Sequence, residues 1–178
     1  MTRRTLQQAS IVVALLLGGN ASADTLAQQD QTFLEQAAHN GHAELSAGRL
    51  ALIKARNPQV QAFAQRMIED HTRIGEELVT IATARNYKPP TEPSMLQKGK
   101  EMVIGGMADE TFDRRYVIQM GVEAHQDTIR LFEKAANEAR DPEVKAFATK
   151  HLPRLRQHLQ DARELKVKVE PTAPPPRR

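Results

Sequence analysis

Cysteine and tryptophan are both absent from the 178 residues, and aromatic side chains make up only 4% of them. Without cysteine there is no disulfide staple, no thiol nucleophile, no thiolate metal site and no lipidation on an N-terminal cysteine. Such a chain must rely on its core, and about 150 residues are enough for one domain to do so. Stacking platforms for nucleic-acid bases are also missing, because Phe33, Phe63, Phe112, Phe132 and Phe147 all sit on or beside apolar stripes. Beyond residue 23 the only serines are Ser46 and Ser94, and neither lies in a nucleophile elbow. No Gly-x-x-x-x-Gly-Lys or Gly-x-Gly-x-x-Gly run occurs, so nucleotide binding has no motif. These absences leave no residue to assign as catalytic and favour a non-enzymatic protein that does not bind nucleic acid.

What is present begins with a basic start at Arg3 and Arg4, an apolar middle over 11–17 and a small-x-small Ala21-Ser22-Ala23. That order reads as a secretory leader cleaved near Ala23, and its apolar part is too short to span a bilayer. Without Arg3 and Arg4 the 25 basic residues become 23 against 22 acids, a formal charge of about +1. The expectation is a periplasmic or secreted protein with no membrane span, its domain covering 24–168 and a disordered Pro/Arg tail over 169–178.

Residues 57–64 (NPQVQAFA) return as 141–148 (DPEVKAFA). An Asn or Asp just before Pro marks a helix N-cap with proline at the first helical position. Each copy follows a long helical pattern after almost no linker, so each marks the turn of an αα-hairpin. Helices are expected over 30–56, 58–85, 109–140 and 142–167. The first faces inward with Phe33, Ala37, Gly41, Glu44, Gly48 and Leu52, the two glycines permitting close helix approach. The third is expected to bury Phe112, Val117, Met120, Ala124, Leu131 and Ala135. Pro153 should kink or split the fourth. The connector, with three prolines over 86–93 and a short helix over 96–107, is long for adjacent antiparallel helices and suits a crossover. The fold class is all-α: a ferritin-like four-helix bundle of two αα-hairpins joined by that connector.

Titratable residues on apolar stripes are costly unless paired, hydrogen-bonded or bound to metal. Glu44, His71, Asp113 and His158 lie on inward faces of the four helices in turn, His151 shares the last of those faces, and His125 sits at the flank of the third helix. At 1.5 Å rise per residue, Glu44 and His71 lie roughly 20 Å from the first turn and His125 and His158 roughly 25 Å from the second. With a crossover the two pairs share a level near mid-height, whereas Asp113 falls about 18 Å further along the third helix. Carboxylate and imidazole suit one divalent ion of iron, zinc, copper or manganese. The favoured reading is nonetheless a structural polar core in which Glu44 bonds His71 and His125 bonds His158, with Asp70, Asp113 and His151 as further members. A di-iron centre is disfavoured, because position −3 from each histidine (Gln36, His39, Ile68, Val122, Ala148, Leu155) is never Glu. His39 and His42, three apart, read as surface residues, and Met67 and Met120 as core.

The segments 33–44 (FLEQAAHNGHAE), 48–51 (GRLA), 60–64 (VQAFA) and 67–71 (MIEDH), with Phe112-Asp113, His125, Leu152-Pro153 and His158, together resemble the bacterial domain of unknown function 4142. The resemblance covers about residues 28–166. It implies a ferritin-like bundle in an exported protein, with Glu44, Asp70, His71, Asp113, His125 and His158 at motif positions, and it brings no activity. Members often carry an outer-membrane label, which suits this chain poorly, as it lacks β-barrel alternation. The expected function is that of a binding or envelope-stress accessory protein with a structural polar core. The alternative is a metal-binding or redox protein with one ion on Glu44, His71, His125 and His158. Self-association through helix faces is a further expectation.

Overall fold

The computed structural model of the protein describes residues 26–170; the expected leader at 1–23 and most of the expected tail, 171–178, lie outside the described residues. Every described element is helical, and there is no strand among the described residues. Helix α1 spans Gln28–Lys54, α2 Pro58–Ala84, α3 Met95–Gly105 and α4 Asp109–Tyr116. A π-helical segment, π1, follows over Val117–Glu123, then α5 over Ala124–Glu138 and α6 over Pro142–Val169. Because α4, π1 and α5 join without a break into one rod, the third, the described residues form four long rods and a short connector helix. None of the described helices is long and apolar enough to cross a membrane.

The repeated turns form as their sequences require. Asn57 accepts the Gln59 amide at 2.8 Å, and Asp141 accepts those of Glu143 at 2.8 Å and Val144 at 3.1 Å. Pro58 and Pro142 take first-turn positions, where a missing N–H leaves no bond unmade. Each turn is also tied to the opposite hairpin. Asp113 of α4 accepts the backbone N–H of Arg56 at 3.2 Å and of Asn57 at 2.8 Å. At the other end, Asp30 of α1 accepts those of Arg140 at 3.2 Å and Asp141 at 2.8 Å. Rod three therefore starts where α1 ends and finishes where α1 starts, so α2 and rod three run parallel and the connector crosses the length of the molecule.

Inside, α1 buries Asp30, Leu34, Ala37, Glu44, Gly48 and Ala51. The steps are four, three, seven, four and three residues, the 3.5-residue period of helices that wind around one another. That drift corrects Leu52, which is 38% exposed while Ala51 is fully buried. Of the two glycines expected to bring helices close, Gly48 does so, since a Cβ there would stand 2.8 Å from Ile68 Cγ1. A Cβ at Gly41 would meet nothing within 4 Å. Pro153 does not split α6, which runs unbroken to Val169. The proline removes the amide that Thr149 O would accept, but Thr149 is exposed and water can replace it.

The core falls into two apolar clusters. Phe33, Ile74, Phe132, Phe147 and Leu155 belong to the one beside the α5–α6 turn. Phe63, Met67, Phe112, Tyr116 and Val117 belong to the one beside the α1–α2 turn. Residues 71, 125 and 158 fall between the two sets on their rods, and Glu44 lies at the edge of the second set, next to Ala43.

Candidate functional site

His71 follows Asp70 on α2, four residues after Met67 and three before Ile74, so it faces inward with the apolar stripe of that helix. Its side chain is buried, as are those of His125 and His158. The three imidazoles come from three rods and meet in a near-equilateral triangle, with ring centroids 5.5, 5.5 and 5.3 Å apart. One nitrogen from each lies within 4.8 Å of the others. The Nε2 atoms of His71 and His125 are 3.4 Å apart.

Two of the rings have their outer nitrogens fixed from behind. His125 Nδ1–H donates to the Met120 carbonyl at 2.9 Å, a group of the π1 turn. Single π turns recur at functional sites, where their wider backbone changes the direction of a side chain. His158 Nε2–H donates to Asp70 Oδ2 at 2.9 Å. With those protons placed, His125 Nε2 and His158 Nδ1 keep their lone pairs, and His158 Nδ1 is buried without a hydrogen-bond partner. Burial first, and then the other histidines, holds His71 well below the usual imidazole range. Burial and His158 bring His125 down to about 4 against the raising effect of its backbone bonds. Burial lowers His158 too, although Asp70 works against it. All three rings are therefore neutral at physiological pH, the state in which imidazole binds metal.

Glu44 is buried at the same level but stands outside the triad. Its Oε1 is 3.6 Å from His125 Nδ1, the nitrogen on the far side of that ring from the shared centre, and its Oε2 has no partner. Burial pushes its carboxyl up to about 8. The Tyr116 hydroxyl, raised by burial and then by Glu44, is likewise buried and unpartnered.

Of the seven residues singled out in the sequence, the structure thus joins His71, His125 and His158, with Asp70 behind the last and Glu44 behind His125. The expected Glu44–His71 bond does not form: His71 reaches His125 across the hairpins. Asp113 is not part of a polar core, because the first helical turn of rod three places it against the α1–α2 turn as a cap. His151 lies two turns, about 10 Å, further along α6 from His158; it bonds Glu77 Oε2 at 3.1 Å and packs on Phe147. Asp30 was not expected, although it precedes Asn57 by 27 residues much as Asp113 precedes Asp141 by 28. His39, half-buried, meets the Glu92 carbonyl at 2.8 Å and so holds the connector against α1.

The profile of a family described as a domain of unknown function, DUF4142, matches residues 17–165. Among solved structures, a DUF305 fragment from Deinococcus radiodurans superimposes with a TM-score of 0.71 at 12% identity, over 81% of this chain and 99% of that one. A conserved hypothetical protein from Mycobacterium tuberculosis does so with a TM-score of 0.63 at 14% identity, over 83% and 97%. At such identities the likeness is one of fold. No curated protein matches the chain.

Proposed function

The chain belongs to the DUF4142 family, described as a domain of unknown function, and from its central geometry we propose that it binds one divalent first-row transition ion on His71, His125 and His158. The observation that carries this reading is the direction of the lone pairs. Asp70 and the Met120 carbonyl each take the outer proton of a ring, which fixes the tautomer that presents a bare nitrogen inward. Ligand nitrogens about 2.0–2.1 Å from a tetrahedral ion are about 3.3–3.4 Å apart, and the Nε2 atoms of His71 and His125 are at 3.4 Å. Imidazole donors suit zinc, copper, iron and nickel, and three of them leave one coordination position open. A purely structural network accounts less well for the site, because it leaves His158 Nδ1 buried and unbonded.

We place this site in an exported accessory protein on the strength of the leader-like residues 1–23, and assign it binding rather than catalysis. Glu44 serves as an outer carboxyl group beside His125 and not as a ligand. The test is metal analysis of protein purified without a histidine tag, followed by melting with and without chelator. At free metal about 100-fold above Kd, binding adds about 2.7 kcal/mol, or roughly 5–10 °C in Tm for a domain of this size. His71→Leu and His158→Leu should each abolish stoichiometric metal. No bound ion, together with an unchanged Tm on adding zinc, copper, nickel, iron or manganese, removes the reading.

A further inference from the structure

A half-open cleft of about 390 Å³ lies between α1 and α2 and reaches inward as far as His71. Ala37, Leu45, Ile74 and Val79 line its sides, Phe132 and Leu155 close its floor. Pro90 of the connector borders it, and that connector is held down by the His39 bond to the Glu92 carbonyl. Two glycines keep it open. Gly41 and Gly75, on the two flanking helices, both line it, and a Cβ at either would meet no atom within 4 Å. Glycine inside a helix is disfavoured relative to alanine, so two of them facing a void keep space where side chains would fit.

We infer that this cleft binds a small uncharged apolar molecule, of one or two aromatic rings, with its inner end against the His71 ring. Size points to that class: an engineered apolar cavity of about 150 Å³ accommodates benzene, and this one has rather more than twice that volume. Polarity points the same way, because the floor and most of the walls are aliphatic and aromatic, no Lys or Arg lines the space, and Thr72 and Glu76 of its lining are exposed and so lie at its mouth. A charged group seated below that mouth would lose its hydration without an ionic partner. The inner end is different, since His71 and Thr128 border it and can meet one polar atom of the guest. The inference does not depend on an ion being bound at the histidines.

The experiment uses the full chain and the fluorescent two-ring probe 1-naphthylamine, with indole and toluene as competitors. Wild type should bind the probe saturably at one site, and both competitors should displace it. Gly75→Leu extends into the cleft from a position where a Cβ meets nothing within 4 Å, and should weaken the probe by at least about tenfold, the discrimination one methylene can carry in an apolar pocket. Its Tm should stay level or rise, and its metal content should match that of wild type, so failure of this inference is distinguishable from failure of the metal reading. Gly99→Leu, equally free of clashes but on α3, should leave probe binding unchanged. Four α3 side chains, Met95, Leu96, Met102 and Val103, are exposed; loss of the probe in Met102→Lys with retention in Gly75→Leu would place it there and overturn the inference. Absence of saturable binding would overturn it as well, as would light scattering that shows a dimer dissolved by Gly75→Leu, since a second copy would then fill the space.

Discussion

Asp70 grips the outer nitrogen of His158 at 2.9 Å from the position directly before His71. Two neighbours in the chain thus act on both hairpins, one as an inward imidazole and the other as the carboxylate that orients the imidazole opposite. Asp70→Ala should therefore weaken metal binding by about 10–100-fold, the usual effect of removing an outer-sphere partner, while leaving stoichiometry at one. A competition titration against a chromogenic chelator reads this directly. Asp113→Ala, which removes only a cap, should leave the affinity unchanged.

Glu44 gives the metal-free protein a pH dependence of definite sign. Burial raises its carboxyl to about 8 from an ordinary value of 4.5, so between those values the folded state holds a proton that the unfolded state has lost. Its contribution to stability is complete below 4.5 and falls as pH rises towards 8. The buried histidines act oppositely but only below about 6.5, where the unfolded chain begins to charge them. Chelator-treated wild type should hence lose stability from pH 6.5 to 8.5, on the order of a few kcal/mol. Glu44→Gln should flatten that stretch. Equal slopes in calorimetric scans of the two proteins would show that the carboxyl reaches water.

Gly121 lies in π1, where a Cβ would stand 2.8 Å from the Cβ of Ala162 on α6. Neither atom can rotate away, so the helices must part. Gly121→Ala should cost about 1–3 kcal/mol, the range for overpacking, with a matching drop in the urea midpoint. Ala162→Gly in the same chain should return part of the loss despite its own lower helix propensity. Additive effects would show that the contact is slack.

The hairpin turns were legible because Asn57-Pro58 and Asp141-Pro142 carry their chemistry locally, and the inward histidines because they interrupt apolar stripes. The phase of rod three was not. At about 100° per residue, Phe112 and Phe132 lie roughly 200° apart on a regular helix, close to opposite faces, and one stripe cannot hold both. The sequence reading kept one stripe and expected Ala124 and Leu131 inside, leaving His125 at the flank. The π1 turn changes the phase, so His125, Ile129 and Phe132 are buried while Ala124 and Leu131 are only partly covered. No composition signal marks such a turn; it is settled by what the rod must pack against. Glu44 was legible as buried but not as an outer group, since which ring nitrogen it meets depends on the crossing of α1 over rod three.

The reciprocal capping by Asp30 and Asp113 has a consequence for how the chain folds. Each hairpin closes its tight bend with a carboxylate borrowed from its counterpart, so a half expressed alone would leave two backbone amides without the acceptor they have in the whole. Neither half should therefore fold on its own, and the two should form and melt together in a single cooperative transition.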